Sequence, residues 1–297
     1  MTRLLAGLAA TLCLVSGAAT VTAPTASAQP PSGIVQPAGS VPIPDGPAQA
    51  WILADMDTGA VLAGRDENSR FAPASTIKIL LALVVLDELP LDATIVANEA
   101  DTSVECNCAG VTPGMTYTTR QLLEGLLLAS GNDAANTLAT MLGGRDAAVM
   151  KMNAKAATVG AHGTSAGSPS GIDGPGIDIW STPHDLAVIF RAAMANPVFA
   201  QITAQPTAVF PTKTGDTVLL NQDELLHRYP GAFGGKTGYT DLARKTFVAG
   251  ASRGGRHLVV ALMYGLVKEG GPTYWDQAAA LLDWGFALGP NSGVSRL

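Results

Sequence analysis

The sequence predicts an α+β fold: an antiparallel β-sheet covered by helices, with a helical subdomain. β-rich runs lie near both ends of the chain, and amphipathic helical segments fill the middle. Strands separated in this way pair antiparallel with helices packed on them, instead of alternating as βαβ units. The chain has 297 residues, 47% hydrophobic and 14% charged, enough apolar sequence for a substantial core and too little charge for global disorder. The net charge is −6 and no basic run occurs. That argues against nucleic acid or an anionic membrane as partner. There is no internal repeat.

Residues 1–28 read as a signal peptide: Arg3 supplies the positive start, Leu4 to Ala19 is apolar, and Ala26-Ser27-Ala28 precedes Gln29 as a cleavage pattern. The apolar stretch is short for a span. Cys13 follows Leu12, where a lipoprotein signal has a small residue, so no lipid anchor is expected. The expected location is outside the cytoplasm, in the periplasm or cell wall or secreted, with no stable membrane span after cleavage. Residues 29–49 carry Pro30, Pro31, Pro37, Pro42, Pro44 and Pro47 and read as a linker. Residues 50–290 are the expected domain, and 291–297 a tail.

Within the domain, Trp51 to Asp55 and Ala60 to Ala63 flank Asp57-Thr58-Gly59 as a hairpin. A helix is predicted from Ser75 to about Glu88, with Pro73 as its starter and Ile77, Leu80, Leu81, Val84 and Val85 on one face. Further helices are predicted over Thr119 to about Ser130, Asp133 to Leu142, Thr182 to Ala195, and Tyr274 to Leu288. Residues 160–178, rich in Gly, Ser and Pro, read as a long loop. Lys245 to Ser252 and His257 to Tyr264 are two strands joined at Arg253-Gly254-Gly255-Arg256.

Three motifs carry chemistry. In Ser75-Thr76-Ile77-Lys78 the hydroxyl and amine are three residues apart, on one helical face. An amine among apolar side chains and other cations has a lowered pKa and can take the serine proton; the bland alternative is a capping serine and a surface lysine. In Ser130-Gly131-Asn132 a loop between helices aims a hydroxyl and an amide into a cleft, though a cap and a turn residue would look the same. Lys-Thr-Gly occurs twice. Lys213-Thr214-Gly215 reads as a hairpin turn with an exposed lysine. Lys236-Thr237-Gly238 follows Gly234-Gly235, which leaves room for another backbone at a strand edge, so Lys236 is the expected carboxylate-holding cation.

Cys106 and Cys108 flank Asn107. Export permits a disulfide, a ring over one residue is tight, and free thiols remain open. The four histidines are scattered, which speaks against a metal site.

The set of motifs resembles the serine D-alanyl-D-alanine carboxypeptidases, low-molecular-mass penicillin-binding proteins of the peptidase S11 type, in their actinobacterial form. The likeness rests on Pro73-Ala74-Ser75-Thr76-Ile77-Lys78, on Ser130-Gly131-Asn132-Asp133-Ala134-Ala135-Asn136, and on Gly234-Gly235-Lys236-Thr237-Gly238-Tyr239-Thr240. It covers roughly residues 49–290 and implies a β-lactamase/transpeptidase-like fold. It also implies Ser75 as nucleophile, Lys78 as base, Ser130 as proton relay, Asn132 as substrate contact, and Lys236 and Thr237 as carboxylate binders. The backbone N–H groups of Ser75 and Tyr239 would be the oxyanion donors, with Gly238 between the motif and Tyr239. Substrates would be peptidoglycan stem peptides ending in D-Ala-D-Ala, with β-lactams as inhibitors and no metal or organic cofactor. The arginine that some relatives carry after the following strand is missing: Met263-Tyr264-Gly265-Leu266 stands there, with Lys268 beyond.

Two other readings draw on the same residues. A class A β-lactamase needs a glutamate between the second and third motifs, and the only one there is Glu224, outside the 160–178 loop. A catalytically dead wall-binding module would have no need of the full set of reactive side chains.

Overall fold

The computed structural model describes residues 33–267, 269–289 and 291–297. The proposed signal segment, Cys13 and Lys268 lie outside these residues. The chain opens with β1 (Ala48–Asp55) and β2 (Ala60–Arg65), then a 3₁₀ turn (Ala74–Ile77) and α1 (Lys78–Glu88). β3 (Thr94–Val96), α2 (Glu99–Thr102), β4 (Thr116–Thr118), α3 (Thr119–Leu127), α4 (Asn132–Met141) and α5 (Arg145–Val159) follow. Next come α6 (Pro183–Met194), α7 (Pro197–Thr203), the hairpin of β5 (Thr207–Thr212) and β6 (Gly215–Leu220), and α8 (Glu224–Arg228). The chain closes with β7 (Ala232–Thr240), β8 (Arg244–Arg253), β9 (Arg256–Gly265), α9 (Tyr274–Ala287) and β10 (Ser295–Arg296).

The main sheet runs β10-β2-β1-β9-β8-β7, every neighbour antiparallel. Side chains alternate across a strand, and here both faces are buried. Ile52 and Ala54 of β1, with Val259 and Ala261 of β9, pack against α1, α3, α4 and α6. Trp51 and Leu53, with Leu258 and Val260, pack against Leu281 and Leu282 of α9. Each such leucine, at 0% exposure, contributes about 2 kcal/mol of burial. The result is a sheet between two helical layers, with the antiparallel sheet and helical covering that the sequence predicts.

The first predicted helix differs at its start. Ser75 sits in the 3₁₀ turn and the α-helix begins at Lys78. The cause is a crowded carbonyl: Pro73 O accepts from Thr76 Oγ1 at 2.6 Å and from Thr246 Oγ1 at 2.8 Å. Ala74 is held at φ +48°, so the turn is pinned to β8 before the helix can form.

The stretch read as a linker also differs. Val35 exchanges backbone hydrogen bonds with Gly64, Pro47 O accepts from Leu266 N, and Val41 O accepts from Trp284 Nε1. The last residues, read as a tail, pair with β2, and Leu297 N donates to Gly59 O. Proline there does not prevent docking, because these segments lie on edges where few of their N–H groups are required. Asn196-Pro197, just beyond the end of the predicted Thr182–Ala195 helix, starts α7: Asn196 Oδ1 accepts from Val198 N at 2.9 Å, and proline suits a first helical turn.

Among the described residues no single helix is long and apolar enough to cross a membrane.

Candidate active site

Three elements meet at β7, the edge strand: the 3₁₀ turn with α1, the α3–α4 junction, and β7 itself. Lys78 opens α1 and is fully buried, while Ser75 is half-buried beside it. Lys78 Nζ lies 2.7 Å from Ser75 Oγ and 2.7 Å from Asn132 Oδ1. The serine–lysine pair is therefore in direct contact, and the amide of the second motif fixes the amine. Asn132 is held in turn: its Nδ2 donates to Glu105 O and its backbone N–H to Asn107 O, both at 2.7 Å.

Ser130 precedes α4 at φ +60°, a left-handed conformation that costs a non-glycine residue about 1–2 kcal/mol. Its surroundings hold it there. Gly131 N donates to Gly125 O, and Asn107 Nδ2 reaches Ser130 O at 3.4 Å. Asp133 is buried and accepts four backbone N–H groups, from Ala109, Gly110, Val111 and Ala134, at 2.8–2.9 Å. That carboxylate ties the 105–111 segment to the second motif. Cys106 and Cys108 are disulfide-bonded within that segment, so of the alternatives left open by the sequence the structure records the bridge.

From β7, Lys236 Nζ donates to Ser130 Oγ and to Thr237 O, both at 2.8 Å. Lys236 is 1% exposed. Gly238 passes so close to Ser75 that a Cβ there would lie 2.9 Å from Ser75 N and 2.3 Å from Thr246 Oγ1. Only glycine lets the edge strand approach the serine at this distance. Thr237, Gly238 and Tyr239 line a cleft of ≈ 550 Å³ together with Ser75, Ser130 and Asn132. Cys106 is on its wall, and Gly171 and Asp173 bring in the long loop. A larger cavity of ≈ 910 Å³ beside α6, lined by Met56, Arg191, Phe233 and His257 among others, holds none of the motif residues.

The electrostatics suit proton transfer. Burial pushes the Lys78 amine well below the ordinary lysine range; nearby Lys236 pushes it further, and Asp133 opposes both. Burial brings Lys236 down to about 7, opposed by Asp223. A lysine whose affinity for its proton is lowered by burial can act as a base, and one held near 7 can pass a proton on.

The structure brings the motif residues together around one cleft in two hydrogen-bonded groups, Ser75 with Lys78 and Asn132, and Ser130 with Lys236. Lys213 is in neither; it is exposed in the β5–β6 turn. The sequence reading gave no role to Asp133, Asn107 or Gln222. Gln222 donates to Ala129 O at 3.0 Å, and its Oε1 lies 3.4 Å from Thr237 Oγ1. Gln222 stands in the polar run Asn221-Gln222-Asp223-Glu224 between two Leu-Leu pairs, a signal with many bland explanations. Among the described residues no group of acidic, histidine or cysteine side chains could hold a metal.

Fold and site, with a serine hydroxyl set against a buried lysine amine, fit the class of serine-type peptidases. The chain matches Peptidase_S11, D-alanyl-D-alanine carboxypeptidase, over residues 38–265, and it belongs to that family. It is 72% identical over 263 residues to D-alanyl-D-alanine carboxypeptidase DacB2 of Mycobacterium tuberculosis, covering 89% of this chain and 90% of that protein. A crystal structure of D-alanyl-D-alanine carboxypeptidase from M. tuberculosis H37Rv matches with a TM-score of 0.87 and 72% identity, covering 89% of this chain and all of the other. The Streptomyces K15 DD-transpeptidase matches with a TM-score of 0.76 and 32% identity, covering 84% of this chain and 100% of that one. The protein is thus an enzyme, a serine-type D-Ala-D-Ala carboxypeptidase.

Proposed function

We propose that this protein is exported and removes the terminal D-alanine from peptidoglycan stem peptides through an acyl-enzyme on Ser75, and that β-lactams acylate the same serine. The observation that carries the mechanism is the contact of 2.7 Å between Lys78 Nζ and Ser75 Oγ, with the amine buried and fixed by Asn132.

With Lys78 neutral, Ser75 O–H donates to Nζ. As Ser75 Oγ bonds to the penultimate carbonyl carbon, its proton moves to Lys78. The backbone N–H groups of Ser75 and Tyr239 hold the negative carbonyl oxygen, a kind of preorganised donor pair whose single members are worth roughly 3–4 kcal/mol. The C–N bond to the terminal D-alanine then breaks; Ser130, hydrogen-bonded to Lys236, hands a proton to the leaving amine and is reprotonated by the proton that Lys78 took from Ser75, so that Lys78 is neutral again. Water cleaves the ester with Lys78 again as base. Lys236 and Thr237 take the substrate's carboxylate, and Asn132 its amide.

Ser75→Ala tests this directly. Release of D-alanine from a D-Ala-D-Ala peptide and labelling by a fluorescent penicillin should both vanish while the circular dichroism stays that of the parent. Retention of either activity rejects the nucleophile. A β-lactamase reading is disfavoured by Glu224, which sits exposed on α8 and pairs with Arg228 at 3.3 Å. A penicilloyl ester hydrolysed within seconds would reinstate it.

A further inference from the structure

The cleft wraps around the edge strand β7. On one face Gly238 lies against Ser75. Thr237 and Tyr239 share the other face by the alternation of a strand. β8 pairs Thr237 with Phe247 and Tyr239 with Lys245, so Lys245 is the diagonal neighbour of Thr237 on that face, a separation that a long side chain spans. Phe247 packs on Tyr274 and Trp275 of α9, and Lys245 and Tyr274 line the cleft together with Thr237 and Tyr239.

Two observations set Lys245 apart. Among the described residues it is the one basic side chain on the wall of the cleft. Lys236 is 1% exposed and donates to Ser130 Oγ and Thr237 O. The wall also carries Glu105, Asp173 and Asp241, and these acids repel an entering carboxylate unless an accessible cation offsets them. Second, the Lys245 ammonium is held in place but uncommitted. Its Nζ lies 4.5 Å from the centroid of the Tyr239 ring, whose hydroxyl donates to Asp241 at 2.9 Å. The Lys245 side chain joins no ion pair or hydrogen bond among the described residues, and an aromatic face attracts an ammonium without using its N–H donors. Gly265, opposite Lys245 on β9, leaves room for it: a Cβ there would lie 3.2 Å from Lys245 Cβ.

We propose that Lys245 is a specificity-determining residue, the accessible cation that takes the substrate's terminal carboxylate together with Thr237. This goes beyond the roles given to Lys236 and Thr237 and rests on that reading of the cleft. The measurement is kcat/KM on a D-Ala-D-Ala peptide and on its C-terminal amide. Lys245→Gln should lower the value for the free acid about tenfold or more, the size of a charge-assisted hydrogen bond, chiefly through KM. The amide should change by less than about twofold, and Lys245→Arg, which keeps a cation there, should stay near the parent on both. Equal losses on acid and amide, no loss on the acid, or an arginine variant as poor as the glutamine one would each overturn the proposal. If Lys236→Ala keeps the preference for the acid and Lys245→Gln loses it, the role of Lys236 falls and that of Lys245 stands. Should the parent release no D-alanine, the catalytic reading fails and binding decides this proposal alone. By calorimetry the Ser75→Ala protein should bind the acid more tightly than the amide, and adding Lys245→Gln should shrink that difference. No difference at the start, or one that Lys245→Gln leaves unchanged, would sink it.

Discussion

Lys213-Thr214-Gly215 and Lys236-Thr237-Gly238 are the same three side chains in two settings. Lys213 and Thr214 form the two-residue turn of the β5–β6 hairpin, where Thr212 pairs with Gly215 and all three residues of the copy are exposed. Lys236 lies in an edge strand, buried and bonded to Ser130. Gly215 has open space where a Cβ would go, whereas Gly238 has Ser75 N and Thr246 Oγ1. The tripeptide alone therefore encodes nothing; what distinguishes the copies is whether neighbours desolvate the lysine and whether something must pass close to the glycine.

The largest effect expected concerns a third lysine that sharpens the contrast. Lys78→Arg should lower kcat/KM by roughly 10²- to 10⁴-fold, the range of a general base, since arginine cannot give up its proton. In the parent, Lys78 is pushed below its ordinary value, so activity should fall as pH drops through that lowered pKa and protonates the amine. A flat acid limb, or an active arginine variant, would mean that another group takes the serine proton. Next in size, Lys236→Ala should cost ~2–4 kcal/mol, roughly 30- to 1000-fold in kcat/KM. Most of the preference for a free carboxylate over the matching amide should go with it. If the preference survives, the carboxylate is bound elsewhere.

The two glycines give the third comparison. Gly238→Ala should disturb the approach to Ser75 and cost about 1–3 kcal/mol through overpacking, read as slower acylation by penicillin and a lower melting temperature. Gly215→Ala should leave acylation alone. At φ +116° it should only strain the turn, by about 1 kcal/mol, seen as a small drop in thermal stability. Equal acylation rates in both variants would show that the close approach at Gly238 has no role in the chemistry.

These contrasts also mark what the sequence could and could not disclose. The first hairpin and the last were legible because turn residues separate β-rich runs. Helix α1 was legible from its apolar stripe, and the reactive side chains from their spacing. Helix α5 was not, because its buried positions are Ala148, Met152 and Ala156, too small and sparse to make a periodic signal. The docking of the proline-rich segment depends on contacts such as Val41 O with Trp284 Nε1, between residues far apart in the chain, and no local pattern encodes them. Asp133 stood inside a quoted motif without a role, since accepting four backbone N–H groups is a property of the folded loop.

Lys213→Ala is the smallest effect and the most exacting check on the comparison. The side chain is exposed, it joins no recorded ion pair or hydrogen bond among the described residues, and it does not line the cleft. Exposed surface substitutions away from such features usually change stability by no more than about 0.5 kcal/mol, so the melting temperature should stay within a degree or two. kcat/KM should match the parent for both the free-carboxylate peptide and its amide, which removes a distant electrostatic contribution as well, because exposed charges are screened over about 10 Å at ordinary salt. If Lys213→Ala instead lost the carboxylate preference while Lys236→Ala kept it, the cation for the substrate would sit on the β5–β6 turn. The hairpin would then have to fold over the cleft during catalysis, and the placement of the third motif at Lys236 would fall.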